Sequence, residues 1–362
     1  MDYPVQTKRP NKMKPLTTSN LRVADDPYVM EALTIWDAVN TNWDDALARG
    51  TEFCSRLRAT RHHRAYAWAA LCCGRVAAYR GDFDLAEIAL TEALGRFEFA
   101  CDEYGANLAF LFLSIPEAHR GSVDRAVGFA LRPLSSNVAY TDEDRSLLHN
   151  VLAMCYWRRG EIHDALTHVL KEHDLARRIG SSAVTARVVA NLAVLLEHVG
   201  ELELSLAASK KALSLQADGR ESQIALRTNV LSNIVYVNYL LSVRSEALRY
   251  ANLLHSLLGG SRITHHWRHY SNLANVYCLN GYVERGMECL EVAKAICPTP
   301  KDSFQLTVCD AAVLEARGEY RAAMTEGVLL WNKAFERIGF KDAIVVKQMP
   351  DSADWDPADS RS

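Results

Sequence analysis

The chain has 362 residues, 49% of them hydrophobic and 23% charged, with 41 Lys/Arg against 44 Asp/Glu for a formal net charge of −3. That balance lacks the basic surplus of a dedicated nucleic-acid binder. No stretch approaches the length of uninterrupted apolar sequence that a membrane span needs, and the basic N-terminus is followed by no apolar run that would make it a secretory signal. Nine cysteines without a CxxC pair read as free thiols, buried as small hydrophobes in a reducing compartment, so a cytoplasmic location is expected.

In chain order, residues 1–26 are polar and hold Pro4, Pro10 and Pro15, which predicts a flexible leader. From Pro27 one template recurs: an apolar helix, a small turn residue, a spacer, an apolar or aromatic residue, then a small residue three further on. Gly81-Asp82-Phe83…Ala86, Gly160-Glu161-Ile162…Ala165 and Gly318-Glu319-Tyr320…Ala323 are strong copies. The turn positions are 41, 81, 121, 160, 200, 242, 281 and 318, so the eight copies step by 37 to 42 residues. Within Ala186 to Gln216, apolar residues three and four apart put a stripe on each of two helices joined at Gly200. A hairpin of this kind cannot bury its own stripes and needs neighbours like itself. Thr141 followed by Asp142, Glu143 and Asp144 signals a capped helix start. Pro116 and Pro133 are expected to bend or end the helices of the third copy. After the repeats (27–338), Phe340 to Val346 within 339–349 reads as a segment capping the last copy, and 350–362 as a disordered acidic tail.

The Gly, the spacer, the apolar or aromatic residue and the following Ala resemble the tetratricopeptide repeat. So do the small residues seven before the turn (Gly74, Ser114, Ala153, Ala193, Ala274) and the aromatics Tyr156 and Tyr277 four before it. The common repeat has 34 residues; these copies are longer, which puts the chain with a long-repeat, bacterial-type subgroup. The resemblance implies an all-α, right-handed superhelical solenoid of about eight hairpins, with the first helix of each lining a concave face used for ligands.

Counting back from the turns places the side chains of that face. Nine and ten before the turn stand Asn150, Asn191, Asn233 and Asn272; thirteen before stand Arg187, Asn229 and Arg268; six before stand Tyr236 and Asn275; three before stands Trp157. An amide both donates and accepts, so recurring Asn can pair with the C=O and N–H of an extended peptide of any sequence, with the Arg, Trp and Tyr adding selectivity. The same amides can equally bond to neighbouring helices.

Other clusters read as structural. His265, His266 and His269 have the spacing of a helical metal pair but no carboxylate or thiol nearby, so no metal is expected. His163, His168 and His173, five apart, point to different faces and read as surface residues. The basic run from Arg56 to Arg64 is compatible with an acidic partner but reads first as a solvated helix end. Cys72 and Cys73 read as packing residues. Phosphate-binding, dinucleotide, metalloprotease and nucleophile-elbow motifs are missing from the sequence, so no enzyme and no cofactor are expected. The expected function is a protein- or peptide-binding scaffold with no nucleic-acid or membrane partner. The alternative is a ligand- or peptide-sensing signalling regulator that acts through a separate output protein, since the stretch before the first copy is shorter than a helix-turn-helix domain.

Overall fold

The structure is a computed structural model that describes residues 26–39, 42–216, 221–260, 267–297 and 304–346. Residues 1–25 of the expected 1–26 leader, the pair His265 and His266, and the acidic tail lie outside the described residues. Among those described there are sixteen helices and no strand. They pair in order as α1 (Pro27–Ala38) with α2 (Trp43–Leu57), α3 (His63–Arg80) with α4 (Phe83–Phe99), α5 (Glu103–His119) with α6 (Val123–Ser135), and α7 (Asp142–Arg159) with α8 (Ile162–Ile179). Next, α9 (Ser182–His198) pairs with α10 (Leu202–Ser214); α11 (Glu221–Leu240) and α12 (Arg244–Gly260) follow in the chain, and two further pairs are α13 (Trp267–Leu279) with α14 (Val283–Ile296) and α15 (Phe304–Ala316) with α16 (Tyr320–Glu336). The fold class read from the sequence holds: this is an all-α repeat of tetratricopeptide-type hairpins.

The turns explain the spacing. Gly81, Gly121, Gly160, Gly200, Gly281 and Gly318 all have φ between 77° and 89°, and Ser242 has φ 59°. At the glycine turns this left-handed conformation reverses the chain between two paired helices, and glycine adopts it without steric cost. Small residues then let the helices touch. Ala46, Ala86, Ala126, Ala165, Ser205 and Ala247, each five after the turn, are fully buried. In the fifth hairpin Ser205 faces Ala193, seven before the turn: the Ser205 hydroxyl donates to the Ala193 carbonyl at 2.7 Å.

The chain divides into two compact units, residues 1–241 with 252–265, and residues 242–251 with 266–362. In the first unit, consecutive first helices (α1, α3, α5, α7, α9, α11) touch one another, whereas consecutive second helices scarcely do, so the first helices form the inner layer. One apolar core runs from Val29 to Cys155, around Trp36, Trp68, Phe97 and Phe112. A separate, smaller one joins Ala153, Ala165, Val169, Ala176, Val188 and Leu195. Arg80 bonds to Asp44 at 2.8 Å, Arg120 to Asp84 and Glu87, and Arg159 to Asp124 at 3.4 Å, tying the ends of α3, α5 and α7 to the preceding hairpins. In the second unit Leu273, Ala274, Tyr277, Leu290, Ala293 and Cys309 on the α13–α15 helices are each buried.

Thr141 forms the expected capping box with Asp144. The prolines do not break the third hairpin: α5 continues through Pro116 to His119 and α6 through Pro133 to Ser135. Both prolines lie in the last turn or so of their helices, where losing one N–H removes little of the ladder. Seven of the nine cysteines are buried, Cys54 is half-buried and Cys101 is exposed, and all are free.

Candidate binding face

Residues α7 and α9 present to each other come from turns of helix one repeat apart, so equivalent positions lie side by side. Asn191 Nδ2 donates to Asn150 Oδ1 at 2.8 Å and also reaches Glu172 Oε2, on α8, at 3.5 Å. Arg187 Nε donates to Glu172 Oε1 at 2.8 Å and Arg187 Nη2 donates to Ser146 Oγ at 2.8 Å. Glu172 is fully buried, and burial pushes its carboxyl above the usual carboxylate range against the pull of the Arg187 guanidinium.

That carboxyl sets the polarity of the whole group. Ionised, it can only accept, so it draws the NH2 side of Asn191, and Asn191 in turn draws the oxygen side of Asn150. Asn150 Nδ2 and Asn191 Oδ1 take no partner among the described residues, and both side chains are only half-buried. Two turns further along α7, half-buried Trp157 donates from Nε1 to His198 Nε2 at 3.1 Å, with the two rings edge to face.

The other positions predicted for this face are placed differently. Asn233 turns toward α10 and donates to Ser209 at 2.9 Å and Ser205 at 3.3 Å. Asn229 is exposed and Tyr236 half-buried. In the second unit, Asn272 is buried and accepts from Gln305 Nε2 at 3.0 Å, Asn275 is buried, and Arg268 is exposed with its guanidinium 5.5 Å from the Trp267 ring. The structure therefore brings together Asn150, Arg187 and Asn191, with Trp157 along the same helix. It directs Asn233 and Asn272 into bonds between helices, the other role open to such amides.

Glu172, Ser146 and the pair His149–His168 were not identified from the sequence. His168 is buried and not a surface residue, which corrects the expectation drawn from its spacing; His163 and His173 are exposed. His149 Nδ1 lies 2.9 Å from His168 Nδ1, and Tyr156 stacks on the His168 ring at 5.3 Å. The signal was in the repeat register. Glu172, twelve after its turn, occupies the position of Ala93, Ala212 and Ala293, all fully buried. A lone acid in a buried register position demands a cation and amides around it.

Elsewhere, two residues of the basic run are held in ion pairs, Arg56 with Glu31 at 2.9 Å and Arg64 with Asp102 at 2.7 Å. Among the described residues, no three His, Cys, Asp or Glu side chains gather as a metal-binding group, and no helix is long and apolar enough to cross a membrane.

No protein-family model matches the sequence, and no curated protein sequence is significantly similar to it. Solved structures share the fold. A Rap protein complexed with competence and sporulation factor superposes with TM-score 0.57 at 12% identity, covering 85% of this chain and 98% of that one. Aspartyl phosphate phosphatase F from Bacillus subtilis gives 0.55 at 10% identity, over 90% and 98%. NprR in complex with its cognate peptide NprX gives 0.52 at 12% identity, over 86% and 91%. At these identities the likeness is one of fold.

Proposed function

We propose that this chain is a non-enzymatic scaffold that binds an extended peptide or protein segment across its first-helix layer, at Asn150, Arg187, Asn191 and Trp157. The observation that carries this reading is the polarised amide pair. Asn150 keeps a donor and Asn191 an acceptor without a partner among the described residues, side by side on consecutive hairpins. A peptide unit offers the complementary C=O and N–H. Each such bond contributes about 0.5–1.5 kcal/mol net, so the amides supply register while neighbouring side chains supply selectivity. Two proteins with this fold, NprR and a Rap protein, are described with a bound peptide and with competence and sporulation factor, which supports the same use here. A third is described as a phosphatase. For this chain a catalytic role is not proposed: two amides, a guanidinium tied to a buried carboxyl and an indole hold ligand atoms but transfer none. Buried free thiols support a cytoplasmic setting.

The test is to select linear peptides from a random twelve-residue display library on the full chain and to measure the retained peptides again on Asn150→Ala. A loss of about tenfold is expected for one to two lost bonds to the peptide, with a thermal midpoint lowered only by the few degrees that loss of the Asn191–Asn150 bond brings. Unchanged affinity removes these residues from the site, and a library with no retained peptide removes the function.

One observation also favours a sensing role. The two open amide atoms belong to consecutive hairpins, so a ligand held by both bridges the joint between them and biases its geometry. Small-angle scattering with a selected peptide at saturation is expected to show a changed envelope; an identical one leaves a scaffold without a switch.

A further inference from the structure

The α7–α8 hairpin is basic on both sides where other hairpins carry apolar or matched pairs. Eleven before and eight after its turn stand His149 and His168, with their Nδ1 atoms 2.9 Å apart. In the third hairpin the same two positions hold Phe110 and Phe129, their rings 5.5 Å apart. One helical turn farther from the apex stand Arg145 and Lys171. In the second hairpin these positions hold Tyr66 and Glu92, which are hydrogen-bonded to each other. Two basic pairs in succession repel across a hairpin unless an anion lies beside them.

The protein itself supplies little of that anion. Arg145 and Lys171 are exposed and make no ion pair among the described residues. Most acids of the hairpin are engaged elsewhere: Asp142 with Arg178 at 2.9 Å, Asp144 with Thr141 and Tyr104, Glu161 with Arg159, and Glu172 with Arg187. Asp164, one turn before His168, is the acid that acts on the histidine pair, and Lys171 and Arg145 oppose it.

We propose that Arg145, His149 and Lys171 form a binding site for a phosphoryl group, free or carried on a ligand. Charge and donors both fit. Two fixed cations match the charge of about −2 that a phosphomonoester carries near neutral pH, and three donors match its three strong acceptor oxygens. The third donor follows from the histidine pair. His168 is buried; when its Nδ1–H donates to His149 Nδ1, the half-buried His149 ring carries its own proton on Nε2, away from His168. An anion beside His149 selects that tautomer with both rings neutral. Arg145 and His149 are one turn apart on α7, roughly 6 Å along its axis, a span that two oxygens of one tetrahedral group bridge with an N–H···O bond on each side. A carboxylate offers half the charge and one oxygen fewer. Asn150 is not among these donors, so the site stands whether or not the peptide reading does.

The test follows the ring proton NMR signals of His149 and His168, assigned by their loss in His149→Phe and His168→Phe, while the full chain is titrated with inorganic phosphate at about pH 7.5 and fixed ionic strength. Both signals are expected to move together, with a dissociation constant of about 1 mM. Acetate is expected to bind at least about tenfold more weakly, for want of the second charge and the third oxygen. Arg145→Gln with Lys171→Gln, both at exposed positions, is expected to weaken phosphate binding at least about tenfold, whereas Arg177→Gln, also exposed on α8, leaves it unchanged. O-phosphoserine in place of phosphate separates the two sources: tighter binding marks a group carried on a ligand, weaker binding the free ion. Signals that stay in place up to about 20 mM phosphate overturn the proposal. Equal affinities for phosphate and acetate, or a double variant that binds as wild type does, overturn it as well.

Discussion

His149 and His168 meet within the α7–α8 hairpin with their Nδ1 atoms 2.9 Å apart, a distance at which one ring must donate its proton to the lone pair of the other. Both cannot be charged. Burial, then the neighbouring His168, Lys171 and Arg145, hold His149 down at about 4; burial and Lys171 lower His168 as well, with Asp164 opposing. Below the ordinary histidine value of about 6.5 the unfolded chain takes up a proton that folded His149 refuses. Stability is therefore full above pH 6.5, falls as the pH drops toward 4, and levels off below. Urea titrations of wild type and His149→Asn at pH 7 and pH 4 are expected to differ in their pH dependence by ~2 kcal/mol, after allowance for partial exposure of the ring. Equal dependence on pH removes the histidine pair as the acid-sensitive joint.

The Glu172–Arg187 pair makes a second prediction. Arg187→Leu leaves a fully buried carboxyl with amide and hydroxyl partners only, and breaking such a pair costs about 3 kcal/mol. The loss depends on pH with the opposite sign to the histidines. Without the guanidinium the Glu172 carboxyl rises further, so the neutral acid is tolerated below about pH 4 and the penalty grows as the pH rises through the shifted value. Glu172→Ala combined with Arg187→Leu restores the residue that other copies carry at this register position, and is expected to be less damaging than Arg187→Leu alone. Equilibrium unfolding at pH 4 and pH 8 checks both statements; a double variant no better than the single one shows that the pair is not the unit of cost.

Most of the architecture was legible because it is carried by a periodic, local signal. The turn residues appear at fixed spacing because each must adopt positive φ, and the small residues seven before and five after because helices touch there. The prolines misled because position within a helix decides their effect, and position near the last turn is a boundary detail that periodicity does not resolve. Of the proposed face, the sequence carried the register and not the bonding. Register placed Asn150, Arg187 and Asn191 on facing helices, but it could not tell an amide open to a ligand from one, like Asn233, that is bonded to Ser209 on the next helix. That choice depends on what the second helices supply, and the decisive residue, Glu172, sits on one of them.

Close approach between helices separates two glycines that look alike in sequence. A Cβ on Gly74 would lie 2.5 Å from the Leu90 side chain, where α3 meets α4, whereas one on Gly128, in the exposed flank of α6, meets nothing within 4 Å. Gly74→Ala is expected to destabilise by about 1–3 kcal/mol through overpacking. Gly128→Ala is expected to stabilise by about 0.5–1 kcal/mol, since the helix no longer carries the entropy cost of glycine. Thermal denaturation of the two variants should move in opposite directions, and a stabilising Gly74→Ala would show that the α3–α4 contact is looser than its geometry implies.

The same turn position gives the last prediction. Six hairpin turns place glycine at positive φ, but the turn between α11 and α12 places Ser242 there at 59°. An L-residue in the left-handed region pays a steric cost of roughly 1–2 kcal/mol, partly offset because serine loses less backbone freedom on folding than glycine does. Ser242→Gly is therefore expected to stabilise the chain by about 0.5–1 kcal/mol, and the reverse change at an equivalent turn, Gly200→Ser, to destabilise it by a similar amount. Both residues are exposed, so neither change disturbs packing and the two should mirror each other in chemical denaturation. If Gly200→Ser destabilises and Ser242→Gly does nothing, the sixth turn owes its conformation to its flanking helices and not to the residue at its apex.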